Sequence, residues 1–137
     1  MKALQSQQLI ALLPCPLNVA ETAAQKFEAV APVLCRTKGF LHRATLEGWT
    51  NAEQVCVDGE AAFVVWWHVS LDRGLWIDAA ETMRETGNPG ALVLAAEAIA
   101  KREGATYIRF MTVRPGLIKV TQNGGFKVEG VCLYKQL

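Results

Sequence analysis

Asp58-Gly59 stands between two apolar runs, Gln54 to Val57 and Ala61 to Val69. A pair of residues that tolerate positive φ, placed there, predicts a two-residue hairpin between antiparallel strands. A second turn, Leu71 to Gly74, leads into Leu75-Trp76-Ile77-Asp78-Ala79-Ala80 and adds a third strand to the meander. The hydrophobic period then changes. Leu92, Ala95, Ala96 and Ile99 recur at helical spacing over 90–103. Asn88-Pro89 suits the start of that helix, and Lys101, Arg102 and Gly104 suit its end. Tyr107 to Val113 is an almost unbroken β-rich apolar run, the pattern of a strand buried on both faces. Strand, helix, strand in this order predicts a right-handed parallel crossover. A chain that joins a meander to such a crossover folds as α/β with a mixed sheet.

The flanks are read the same way. A short strand is expected over Gln8 to Leu13, stopped by Pro14-Cys15-Pro16. Asn18 and Glu21 resemble a capping box, and Ala23, Phe27, Val30 and Leu34 share one helical face, so a helix is expected from Val19 toward Leu34. Pro32 kinks or ends it near Ala31, since proline removes a hydrogen bond and clashes with the preceding turn. Leu41, Ala44 and Leu46 fit a short second helix. Beyond the buried strand, Pro115 opens a helix carrying Leu117, Ile118 and Val120; Gly124-Gly125 ends it, and Phe126 to Tyr134 reads as a last strand.

The chain has 137 residues and a formal net charge of +1. That length buries about two-thirds of the unfolded surface in one core. No repeat or linker divides it, so a single domain is expected over 1–137. Lysine and arginine form no block, which leaves nucleic acid without an electrostatic footprint. The apolar run Leu9 to Leu13 is too short for a membrane span or a secretory leader, and a cytoplasmic protein is expected. Cys15, Cys35, Cys56 and Cys132 contain no CxxC pair, and His42 and His68 lack ligand spacing, so no metal site is expected.

The chemistry concentrates in Arg84-Glu85-Thr86-Gly87-Asn88-Pro89-Gly90-Ala91-Leu92, a loop that opens a helix directly from a strand. Free amides and the positive dipole end of a helix start attract anions, and Gly87 and Gly90 allow close approach to the backbone. The segment resembles the GNAT acyltransferase motif Q/R-x-x-G-x-G/A. Arg84, Gly87 and Leu92 stand at its positions, and Pro89 occupies the second small-residue position without offering an N–H. The order of elements over 54–137 is also similar to that family, down to Gly125-Phe126, whereas 1–53 is the divergent part. The resemblance implies a GNAT-like fold: a mostly antiparallel sheet with a splayed parallel pair at its centre and helices on both faces.

It further implies acetyl-CoA as co-substrate, with a small-molecule or peptide amine as acceptor; a homo-oligomer is compatible with it. The pantetheine would pair with Ala79 and Ala80, and the pyrophosphate would sit on amides of Gly87, Asn88, Gly90 and Ala91 near Arg84. A backbone amide near Ala79 would polarise the thioester carbonyl. Candidate bases are Asp78 and His68. The family's acidic tyrosine and upstream asparagine align with Thr121 and Arg114, and Tyr107 and Tyr134 are not placed at the thiolate by anything in the sequence. The alternative is a GNAT-like binding or structural protein without catalysis, for instance in a larger or viral assembly.

Overall fold

The computed structural model describes residues 9–30, 38–84, 89–111, 115–130, 133 and 135, with side chains for all of these except 115–117. The elements are β1 (Ile10–Pro14), α1 (Leu17–Val30), α2 (Phe40–Leu46), β2 (Asn51–Val57), β3 (Glu60–Val69), β4 (Gly74–Thr82), α3 (Pro89–Glu103), β5 (Tyr107–Phe110) and α4 (Pro115–Asn123). Five strands form one sheet in the order β1-β2-β3-β4-β5. Neighbours are antiparallel except β4 and β5, which are parallel.

The hairpin forms where Asp-Gly predicts it. Asp58 and Gly59 both have positive φ, 51° and 84°, which a two-residue primed turn requires and which glycine meets without a Cβ clash. The Leu71–Gly74 turn likewise delivers β4 back against β3.

Each face of the sheet has its own core. On one, α3 inserts Ala91, Leu92, Ala95, Ala96 and Ile99 against Val55, Phe63, Val65, Trp67, Leu75 and Ile77. On the other, Ala23, Ala24 and Phe27 of α1 and Leu41 of α2 cover Val64, Trp66 and Ala79. The alternation of strand side chains assigns the adjacent Trp66 and Trp67 to opposite cores. Trp66 is fully buried beside Phe27, with ring centroids 6.4 Å apart. Trp67 donates its Nε1–H to Glu53, whose carboxylate also takes both arms of the Arg102 guanidinium.

Several local expectations are corrected. α1 begins at Leu17, and its first-turn amide on Ala20 donates to the Pro16 carbonyl, so Asn18 lies inside the helix and is not its cap. Val30 and Leu46 are exposed because the faces of α1 and α2 turn away from the sheet at those positions. Leu34 and Pro32 lie outside the described residues. β5 is half-buried at every residue and ends at Phe110, because α3 covers one of its faces while Arg109 occupies the other. It stands at the edge of the described sheet, not at its centre. Residues 126–130 form neither strand nor helix, and Tyr134 is not described.

Candidate functional site

The site is built on a fault in the β3–β4 ladder. Trp66 faces Ala79 and Trp67 faces Ile77, which leaves Asp78 as an extra residue on β4. A bulge of this kind bends the strand and re-aims side chains. Ile77 points into the α3 core, while Ala79 packs beneath α1, and Asp78 beside it turns to the same α1/α2 face.

The same region of β4 loses its other neighbour. Parallel pairing with β5 runs from Gly74–Tyr107 to Ile77–Phe110 and stops, although β4 continues to Thr82. On the β3 side the pairing persists to the end, where the Met83 amide donates to the Ala62 carbonyl at 2.7 Å. Ala79 and Ala80 therefore sit on a stretch of β4 bonded along its β3 edge, with no strand among the described residues along the other.

α3 starts with Pro89, followed by half-buried Gly90 and fully buried Ala91 in its first turn. Gly87 and Asn88 lie outside the described residues. Arg84 is described: its guanidinium forms an ion pair with Glu60 at the start of β3. Its charge is thus already shared with a carboxylate.

His68 and Asp78, two separate candidates in the sequence, are brought together by the bulge. His68 Nδ1 lies 2.8 Å from Asp78 Oδ2. The same oxygen accepts a hydrogen bond of 2.7 Å from Thr50 Oγ1, a buried hydroxyl that also lies 3.2 Å from the Trp67 carbonyl. The His68 ring stacks on Trp76, its cross-strand partner, at 6.1 Å between centroids and 12° between planes. Arg109, the parallel partner of Trp76, places its guanidinium carbon 5.1 Å from the Trp76 centroid and 4.9 Å from that of Tyr107. It also donates to Glu129 at 2.8 Å. A continuous row therefore runs along this face: Tyr107, Arg109, Trp76, His68, Asp78, Thr50.

Tyr107 holds one end of the row. Its ring lies over Gly74, where a Cβ would fall 2.0 Å from the ring, so only glycine fits. Its hydroxyl donates to Asp72, which also accepts from Ser70. These two hydrogen bonds to the charged form, Ser70 first, hold the Asp72 carboxyl below its ordinary value. Thr121, at the family's tyrosine position, is buried and turns its hydroxyl to the Ile118 carbonyl at 2.9 Å. Arg114 lies outside the described residues.

Thr50, Trp76 and Arg109 carried no signal along the chain, since each acquires its neighbours through strand register. The Asp-Gly hairpin sets the β2–β3 register only as far as Cys56, where that ladder shifts by one residue, and neither this shift nor the bulge at Asp78 has a sequence signature here.

No family model matches the sequence, and neither does any curated protein. Solved structures match over most of the chain. The ribosomal-protein-alanine N-acetyltransferase of Brucella melitensis biovar Abortus 2308 superposes with a TM-score of 0.63 at 18% identity, covering 96% of this chain and 99% of its own. An acetyltransferase of Bacillus subtilis in complex with CoA gives 0.64 at 17% identity, over 90% of this chain and 79% of its own. AAC(6')-Iy, in complex with the bisubstrate analog CoA-S-monomethyl-acetylneamine, gives 0.61 at 16% identity, over 96% and 99%. Identities at this level carry the architecture alone: the chain shares the fold of these acetyltransferase structures, a mixed sheet with helices on both faces.

Proposed function

We propose that the chain is a cytoplasmic, acyl-CoA-dependent N-acyltransferase that passes an acyl group, acetyl in the simplest case, to a primary amine on a small molecule or peptide. The observation that carries this reading is the half-paired stretch of β4 beyond Ile77, which leads from the bulge at Asp78 to the start of α3. An extended pantetheine offers amides that pair with such a strand edge, at Ala79 and Ala80. The helix start beyond it suits a pyrophosphate, through amides of Gly87, Asn88, Gly90 and Ala91 with Arg84 alongside. A β4 amide near Ala79 stabilises the negative charge that develops on the thioester oxygen. In this reading Asp78 and His68 lie toward the acyl end of the track, on the α1/α2 face of the sheet. The solved complexes of fold relatives with CoA and with a CoA bisubstrate analog support the choice of donor.

A thermal melt of the full chain with acetyl-CoA tests the reading. At about a hundred times its dissociation constant the ligand adds about 2.7 kcal/mol of stability. Arg84→Ala and Gly87→Val reduce the shift. No shift at millimolar acetyl-CoA overturns the proposal.

Thr121 favours a second reading, a GNAT-like protein that binds a ligand without catalysis. Its buried hydroxyl serves the Ile118 carbonyl, leaving no acidic side chain at that position. Acetyl-CoA binding without release of free thiol in the presence of any amine identifies that case.

A further inference from the structure

Resting on the acyl-transfer reading, we propose that the proton-accepting atom of this site is His68 Nε2, and that Asp78 and Thr50 are positioning residues that hold the imidazole in the tautomer this requires.

The hydrogen bonds assign the roles. Asp78 Oδ2 is a carboxylate oxygen 2.8 Å from His68 Nδ1, so Nδ1 is the donor, and in the neutral ring the lone pair is on Nε2. Among the described residues Nε2 has no partner, and the side chain is 38% exposed, so that nitrogen is open to an incoming amine. Asp78 is less suited to be the base itself. Its Oδ2 already accepts from both His68 and Thr50, and its side chain is only 26% exposed. Thr50 is buried, and its hydroxyl hydrogen directed at Asp78 fixes the carboxylate rotamer. Trp76 fixes the remaining freedom of the imidazole by lying nearly parallel to it. The charged groups along this row are Asp78 on one side of His68 and, beyond Trp76, Arg109 with Glu129.

The step balances without a co-reactant. The acceptor ammonium gives one proton to His68 Nε2. The freed nitrogen lone pair attacks the thioester carbonyl carbon, the C–N bond forms, and the C–S bond breaks with its electron pair passing to the CoA sulfur. The second amine proton reaches that sulfur through water, since Thr121 is turned to Ile118, and the imidazolium releases its proton to solvent. With water returning the second proton, a base at His68 predicts a rate that rises with pH to a plateau along an ascending limb.

Two measurements on the full chain test this. Long-range proton–nitrogen NMR of the two histidines, with His42→Gln for assignment, reads the tautomer directly. His68 is expected as Nδ1–H in the wild type, with that preference lost in Asp78→Asn. Thiol release from acetyl-CoA with a panel of primary amines reads the rate. His68→Gln lowers kcat by about 10²-fold or more and flattens the ascending limb, while KM for acetyl-CoA is unchanged. Thr50→Val lowers kcat less, and Thr50→Ser restores it. A neutral His68 protonated on Nε2, or a His68→Gln enzyme that keeps both rate and pH limb, overturns the assignment. If acetyl-CoA fails to bind the wild type, the acyl-transfer reading falls and takes the catalytic role with it, whereas the tautomer still reports whether Asp78 orients His68.

Discussion

Asp78 has no cross-strand partner in the β3–β4 ladder, yet its carboxylate lies 2.8 Å from the imidazole of His68 on β3. Trp76, Ile77 and Ala79 keep the ordinary pairing around it, so the contact depends on one inserted residue. The insertion breaks alternation between Asp78 and Ala79, which lie on the same face of the sheet, opposite Ile77. The same insertion falls where β5 leaves β4.

The support beneath this pair is measurable as stability. Thr50→Val removes a buried hydroxyl and leaves the Asp78 carboxylate one donor short. A cost of about 1–2 kcal/mol is expected, at the lower end of the penalty for an unsatisfied acceptor because Asp78 keeps some solvent contact. Thr50→Ser should lie within about 0.5 kcal/mol of wild type. Urea unfolding of the three proteins decides it.

Gly74 and Tyr107 make a steric prediction. A methyl group at position 74 would meet the ring at 2.0 Å, so Gly74→Ala must displace Tyr107 and with it the Arg109 stack. The expected loss is about 1–3 kcal/mol. Tyr107→Ala should make the Gly74→Ala change much cheaper, and a double-mutant cycle showing additivity would contradict the contact between the two residues.

On the opposite face, Arg102 bridges Glu53, which also accepts from Trp67. Hydrogen bonding to Glu53, its largest influence, raises the Arg102 pKa above the usual arginine value. Arg102→Ala strips a nearly buried carboxylate of its counter-ion. Because the arginine itself is 43% exposed, the loss expected is about 1–3 kcal/mol, below that of a fully buried pair. Replacing Glu53 by Gln in the same background should recover part of it. The urea midpoint, at constant m-value, is the readout.

Asp72 predicts an acid dependence. Its folded carboxyl titrates below the ordinary aspartate value because Ser70 and Tyr107 donate to the charged form. A depressed pKa means that the unfolded chain binds the proton first. The stabilisation is therefore complete above the ordinary value and is lost as pH falls through the folded one. Melting temperatures of wild type and Asp72→Asn should differ at neutral pH and converge in acid; a constant gap would show that the hydrogen bonds contribute nothing through ionisation.

What the chain determined by itself was everything set by neighbours in sequence. Asp58-Gly59 dictated the hairpin through its positive φ values, the spacing of Leu92, Ala95, Ala96 and Ile99 dictated α3, and alternation sent Trp66 and Trp67 to opposite cores. The mixed sheet follows from those elements in order. The tertiary structure decided what crosses between strands. It set Asp78 against His68 beside a one-residue bulge, brought Thr50 to the same oxygen from just before β2, stacked Arg109 on Trp76 and ended β5 at Phe110. Periodicity reports which face a residue prefers, but a bulge resets the register beyond it. Which side chains share a hydrogen bond is therefore settled only when the strands are paired.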